Sequence, residues 1–62
     1  MTISIEVRKT KLDNGEWLFE AFRDDQFIMD ISGTDCLKIN RRLIFLLSKR
    51  FPNEVFNFSV KK

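Results

Sequence analysis

The chain has 62 residues, 44% of them hydrophobic and 32% charged, with a net charge of +2. This composition is typical of a folded globular domain and argues against disorder. The absence of histidine and the presence of a single cysteine, Cys36, exclude an internal disulfide and the usual Cys/His zinc sites. No segment has the roughly 20 apolar residues that span a bilayer, and no signal-peptide pattern opens the chain. We therefore expect one cytoplasmic domain, residues 1–62, with no membrane contact and no cofactor or metal.

The charge is distributed unevenly along the chain. Residues 1–34 contain four basic and seven acidic residues, a net charge of −3, whereas residues 35–62 contain seven basic and two acidic residues, a net charge of +5. Such an asymmetry indicates an acidic or nucleic-acid partner for the second half, although a solvated helix face is the simpler explanation.

The first half of the sequence predicts three strands joined by two hairpins. Residues 3–12 alternate apolar and polar side chains, and residues 16–22 and 26–32 are rich in aromatic and β-branched residues. We interpret "DNG" (13–15) as a three-residue loop with Gly15 in the left-handed conformation. This predicts that Val7 lies opposite Ala21, that Arg8 lies opposite Glu20 and that Lys11 covers the Trp17 ring.

We also interpret "RDD" (23–25) as a three-residue loop, because the resulting register sorts the apolar residues by face. It pairs Phe19 with Met29 and Trp17 with Ile31. The apolar residues that then share the core face are Trp17, Phe19, Ala21, Phe27, Met29 and Ile31. Those left on the opposite, outer face are Leu18, Phe22 and Ile28, and an apolar patch with a charged rim commonly marks an interface. A sheet that curls and partly hides these three residues is the alternative.

The second half predicts one helix and a last strand. Thr34 or Asp35 is the candidate N-cap, and Pro52 ends the helix. The predicted core stripe is Cys36, Ile39, Leu43, Leu46 and Leu47, extended on one side by Leu37, Ile44 and Phe51, with Asn40 near its centre as a hydrogen-bonded buried amide. Residues 53–62 alternate again, with Phe56, Phe58 and Val60 on one side. A right-handed crossover then gives an α+β fold of order βββαβ, with sheet order 3-2-1-4 and the helix on one sheet face.

One aromatic residue interrupts the polar side of the predicted helix. Phe45 lies opposite the apolar stripe among basic residues, and we call this set the basic helix face: Lys38, Arg41, Arg42, Phe45 and Lys49. Such a face suits a base stacked on the ring with phosphates on the cations, or a protein interface with a charged rim. An isolated surface hydrophobe, or one covered by a dimer partner or the C-terminal tail, is the plain alternative.

Catalytic motifs are missing from the sequence. Cys36 near the helix start has neither a histidine nor a second cysteine to act as its base, and we expect it to pack as a small apolar residue. Asp24 and Asp25 belong to a turn, and no glycine-rich phosphate loop is present. We therefore do not expect an enzyme.

No motif identifies a family, but the element order resembles that of several small intracellular regulators. These include antitoxins of toxin–antitoxin pairs and short bacteriophage proteins that inhibit host polymerases. The resemblance implies a small binding protein. Because one helix leaves apolar surface uncovered, we expect a non-enzymatic regulatory protein that binds another protein, as an inhibitor or antitoxin does, with nucleic-acid machinery among the candidate targets. The expected contact is Leu18, Phe22 and Ile28 or the basic helix face. The alternative is direct nucleic-acid binding by the basic helix face, assisted by Lys61 and Lys62. The small size predicts a homodimer joined at the edge of strand three or four or at the outer sheet face.

Overall fold

The computed structural model describes residues 2–61. The elements, in chain order, are β1 (Thr2–Lys11), β2 (Trp17–Arg23), β3 (Gln26–Gly33), α1 (Cys36–Arg50) and β4 (Val55–Lys61). The strands form one mixed sheet in the order β3-β2-β1-β4, in which β4 is parallel to β1 and the other neighbours are antiparallel. The predicted α+β fold, element order and sheet order are confirmed.

The first hairpin has the predicted three-residue loop. The Leu12 N–H donates to the Glu16 carbonyl at 2.7 Å, and the Gly15 N–H donates to the Leu12 carbonyl at 3.1 Å. Gly15 has φ +87°, a left-handed conformation that costs glycine nothing. The loop sets the β1–β2 register, in which Val7 lies opposite Ala21 and Lys11 opposite Trp17.

The second hairpin differs from the prediction. Its loop has two residues, Asp24 and Asp25, both with positive φ, 51° and 65°, as in the type I′ turn that matches the strand twist. A register shift follows between Ala21 and Phe22, so that Phe22 lies opposite Phe27 whereas Ala21 lies opposite Met29. The predicted three-residue loop and its pairing of Phe19 with Met29 are wrong, and Phe19 lies opposite Ile31.

The register shift exchanges the roles of two neighbouring residues. A bulge inserts one unpaired residue into a strand, and here Ile28 is the residue that the β2–β3 pairing leaves out. Ile28 is half-buried and packs against the core, whereas Phe27 lies opposite Phe22 and is 55% exposed. The placement of Phe27 in the core and of Ile28 with Leu18 and Phe22 on the outer face is therefore corrected.

The helix begins at its predicted cap. The Asp35 carboxylate accepts hydrogen bonds from the backbone N–H groups of Leu37 and Lys38 at 3.0 and 3.3 Å, which satisfies two donors that the first turn leaves open. The first turn of the helix packs closely against the end of β3. A Cβ atom on Gly33 would lie only 3.3 Å from the Ile39 side chain.

The helix packs by a narrower stripe than its sequence predicts. The fully buried positions are Ile39, Leu43 and Leu47. Leu37 and Ile44 are exposed, and Asn40 is exposed as well, so the expectation of a buried amide is wrong. The stripe is centred on Leu43, which leaves Asn40 on the flank and exposed.

The core lies between α1 and one face of the sheet, here called the helix face. Its buried residues come from three elements: Ile3, Ile5 and Val7 on β1, Phe19 and Ala21 on β2, and Ile39, Leu43 and Leu47 on α1. A helix is about 10 Å wide, and the outer strands of a four-stranded sheet stand about 14 Å apart at the usual spacing. One helix therefore cannot cover the whole face, and the backbone of α1 approaches β3 and β2 most closely.

Candidate interaction surfaces

The outer face of the sheet carries a small aromatic pair. The rings of Phe22 and Phe27 meet edge to face with their centroids 5.7 Å apart, and the Arg8 guanidinium lies over the Phe22 ring at 4.0 Å. Leu18 also lies on this face, because it is paired with Thr10 and Ser32. The guanidinium and the ion pair of Arg8 with Glu6 make this surface more polar than the sequence predicts.

The basic helix face is exposed at all five of its positions. Phe45 is 54% exposed, and the Lys49 Nζ lies 4.9 Å from the centre of its ring. The Lys49 cation covers one face of the ring, and about half of the side chain is exposed. The set therefore combines an exposed aromatic side chain with exposed positive charges, as the sequence predicts; whether it binds a partner stays a prediction.

A shallow depression adjoins the basic helix face where β3 meets α1. Its volume is about 260 Å³. Its lining comes from the end of β3 and the first two turns of the helix: Ile31, Ser32, Gly33, Thr34, Asp35, Lys38, Ile39 and Arg42. Since Lys38 and Arg42 belong to both features, the depression and the basic helix face form one continuous surface. The lining is mixed, because it combines the apolar Ile31 and Ile39 with hydroxyl groups, one carboxylate (Asp35) and two cations (Lys38 and Arg42).

A third surface, which the sequence analysis did not single out, lies over β4. Parallel pairing places Phe56, Phe58 and Val60 opposite Ile3, Ile5 and Val7, so all six belong to the helix face. The three β1 residues are buried, whereas Phe58 is 37% and Val60 53% exposed. The difference arises because α1 lies nearest to β3 and β2 and leaves the far end of β4 uncovered.

The flank of α1 that faces this strand carries apolar residues beside the exposed Asn40. The ring of Phe51, at the end of the helix, meets Phe56 of β4 with the centroids 6.3 Å apart, which identifies the flank. Ile44 and Leu37 precede Phe51 by two and four helical turns and so lie on the same side. We call the set Leu37, Ile44, Phe58 and Val60 the open strip; its helical members are 63% and 39% exposed.

The open strip borders a free sheet edge. β4 pairs with β1 on one side, and no other strand of residues 2–61 pairs with it. The strand has no charged residue between Val55 and Val60 and no proline. Charges, prolines and bulges are the usual protections of an edge, and β3, at the other edge, has a bulge and Asp30.

The described residues do not form a recognisable catalytic or metal site. Cys36 is half-buried and packs against the core, and within residues 2–61 no three His, Cys, Asp or Glu side chains are grouped to hold a metal ion. In the same range no helix has the length and apolarity required to cross a membrane. Of the basic residues expected to assist the helix, Lys62 and the Lys61 side chain lie outside what the structure describes.

Comparison with known proteins adds no relative. No protein-family model matches the chain, and neither a curated protein nor a solved structure matches it significantly. The physical properties of its surfaces therefore carry the functional interpretation.

Sequence reasoning found the basic helix face and missed the open strip. The alternation of Phe56, Phe58 and Val60 was recognised, but alternation places residues on one face without saying how far a helix covers that face. The sequence does contain one indication of the strip, because a single predicted helix is too narrow to cover four predicted strands. The same reasoning also predicts uncovered apolar residues on the outer face, and only the position of α1 shows that the open strip lies beside β4.

Proposed function

We propose that this protein is a small non-enzymatic regulatory protein that binds an acidic surface of another protein through its basic helix face. The observation that carries the proposal is the exposed Phe45 ring among four exposed cations. Aromatic residues and arginine are enriched among the residues that dominate binding energy, and surrounding charged groups form the rim.

The depression beside Lys38 and Arg42 supports the same proposal. A protein partner offers side chains that enter a concave site, and a lining with two isoleucines and two cations suits an aliphatic side chain next to a carboxylate. The net charge of +5 over residues 35–62 attracts an acidic partner at long range. An inhibitor- or antitoxin-like action, in which a small protein blocks a larger one in the cytoplasm, and a homodimeric state belong to this proposal.

The outer face is the weaker candidate for the contact. Ile28 packs against the core, and Arg8 lies over one side of Phe22. All three predicted contact residues of this face are half-buried, whereas Phe45 is exposed. On the outer face, Phe27 lies beside Phe22 at the position that the sequence predicts for Ile28.

The test compares capture of partners by four variants. We expect Phe45→Ala and Arg42→Glu to lose at least about tenfold in affinity for a captured protein, which corresponds to about 1.4 kcal/mol. Phe27→Ala removes a ring of equal exposure, and Lys11→Glu reverses an exposed charge elsewhere, so both controls should retain binding. Retention of full binding by Phe45→Ala and Arg42→Glu would place the contact elsewhere.

Nucleic-acid binding by the same face is the second candidate function, favoured by the aromatic ring within a cationic surface. A nuclease-treated arm of the capture experiment separates the two. Binding to phosphates would also weaken with salt, by about 0.9 logarithmic units of affinity per logarithmic unit of salt for each phosphate neutralised on duplex DNA. An anisotropy titration with labelled oligonucleotides that shows no binding at low salt would eliminate this candidate.

A further inference from the structure

We propose that a second copy of this chain covers the open strip, by antiparallel pairing of β4 with β4 of the partner around a two-fold axis at Phe58. The inference names the surface of the proposed homodimer, and it is independent of what the basic helix face binds.

The first argument is the unsatisfied backbone of the edge. A strand with one neighbour presents a row of N–H and C=O groups that pair readily with another strand. β4 runs for seven residues, Val55–Lys61, without a break. It has no charged residue between Val55 and Val60, so this part of the strand does not repel an identical strand. The bulge and Asp30 make β3 a poorer edge.

The second argument is that β4 is complementary to itself. Residues directly opposite each other in a sheet share a face, so a two-fold axis perpendicular to the sheet requires a residue to lie opposite itself. With Phe58 on the axis, Phe56 lies opposite the partner's Val60 on the helix face. Asn57 lies opposite the partner's Ser59 on the outer face, where both side chains can hydrogen-bond.

The register around Phe58 is also the one that uses the whole strand. It pairs all seven residues of Val55–Lys61, whereas moving the axis to Asn57 places Glu54 opposite Val60 and leaves Lys61 beyond the strand. The Phe58 register therefore pairs apolar with apolar and polar with polar across the centre, and it does so over the full length of the strand. A closed two-fold contact of this kind is the commonest oligomeric arrangement of soluble proteins.

The third argument concerns the surface that the pairing covers. The two sheets become one of eight strands, with both helices on the same face. The open strips then meet across the axis, and Ile44 and Leu37 of each copy face the uncovered β4 segment of the pair. A chain of this size buries only about 60% of the surface that it exposes when unfolded, so association adds the apolar burial that a single copy lacks. The basic helix faces lie on the flanks turned towards β3, away from the axis, and stay accessible.

The oligomeric state is the first test. Sedimentation equilibrium from 1 to about 500 µM should give twice the chain mass of 7.4 kDa at the upper end. Val60→Lys places a charge in the seam at a position that is 53% exposed, and it should weaken the dimer at least about tenfold. Phe27→Lys makes the same change at the other edge and should leave the dimer intact. A wild-type monomer at 500 µM would overturn the proposal, as would a dimer that Val60→Lys leaves unchanged.

Cysteine cross-linking tests the register. In a Cys36→Ala background, Phe58→Cys puts a thiol opposite its own copy at a Cα–Cα distance of about 4.5–5.5 Å, within the range that a disulfide bridges. Oxidation should give a covalent dimer on a non-reducing gel. Val60→Cys places the two thiols four residues apart along the strands, about 13 Å, and should not cross-link. Equal cross-linking at both positions would exclude the Phe58 register, and circular dichroism of each variant verifies that it is folded.

A foreign strand at this edge is the rival outcome. If the wild-type chain is monomeric and the Val60→Lys variant loses a captured partner, the edge of β4 binds another protein. That result overturns the pairing with a second copy. Loss of partner binding in Phe45→Ala with the dimer retained would separate the two surfaces, since the dimer does not depend on the ligand of the basic helix face.

Discussion

At the scale of single residues, Asp35 determines where the helix begins. Its carboxylate accepts from two backbone N–H groups of the first turn. We expect Asp35→Ala to lower the free energy of unfolding by about 1 kcal/mol, because both donors lose their acceptor. Urea denaturation followed by circular dichroism measures the change.

Asp35→Asn is the matched control for this prediction. Asparagine caps helices about as well as aspartate, so its amide oxygen should retain most of the stability. An Asp35→Ala variant as stable as the wild type would mean that the cap contributes nothing here. The same result from Asp35→Asn and Asp35→Ala would assign the effect to lost charge instead of lost hydrogen bonds.

At the scale of elements, the β2–β3 hairpin shows how a turn and a bulge act together. The two-residue turn alone would place Phe22 opposite Phe27 and continue with Ala21 opposite Ile28. The extra residue instead brings Met29 opposite Ala21 and returns the apolar side chains of β3 to the helix face. The bulge therefore allows the hairpin to have a two-residue turn and still place Met29 and Ile31 on the helix face.

Substitution of Asp24 distinguishes the two loop lengths. Its φ of 51° lies in the left-handed region, where a Cβ costs roughly 1–2 kcal/mol, less for Asp and Asn. We expect Asp24→Ala to destabilise the protein by about 1 kcal/mol and Asp24→Gly to be neutral or slightly stabilising. In a three-residue loop Asp24 would be right-handed, so that alanine would be tolerated and glycine would be the worse residue. Thermal unfolding of the two variants decides between these orders.

At the scale of the whole molecule, the small core makes single buried side chains decisive. The Leu43 side chain is fully buried between α1 and the sheet. Leu→Ala substitutions at such positions lower the free energy of unfolding by about 2–5 kcal/mol. A domain of this size has only a few kcal/mol of stability in total. We expect Leu43→Ala to be largely unfolded at 25 °C, with near-complete loss of the cooperative thermal transition.

Phe45→Ala is the comparison at this scale, because it removes a larger side chain from an exposed position two residues away. It should change the free energy of unfolding by less than about 0.5 kcal/mol. A cooperative transition in Leu43→Ala close to that of the wild type would show that the core is distributed more widely than the buried residues indicate. Both variants are measured at the same protein concentration, since association stabilises the folded state.

The surfaces of the whole molecule follow from its one-helix coverage. The helix packs towards β3 and β2, so apolar residues of the helix face stay exposed beside β4. The outer face also exposes an apolar residue, Phe27, whose ring meets Phe22 beneath the Arg8 guanidinium. The basic helix face lies on the opposite flank of α1 from the open strip.

Local patterns in the sequence are sufficient to predict the elements, their order and the register of the first hairpin. Alternation and helical periodicity are local properties, the left-handed Gly15 specifies one loop, and Asp35 and Pro52 bound the helix. The sequence also determined that Phe45 stands among cations on the polar side of the helix, because side-chain direction follows from periodicity alone.

Three features depend on contacts between residues that are distant in sequence: the loop length of the second hairpin, the exchange of Phe27 and Ile28, and the exposure of Asn40. A three-residue loop and a two-residue turn with a bulge place Met29 and Ile31 on the same face as Phe19, so alternation cannot choose between them. The lateral position of α1 likewise depends on packing between residues distant in sequence, such as Ile39 against Gly33. That position leaves Phe58 and Val60 uncovered, and it is the physical reason why the open strip lies beside β4.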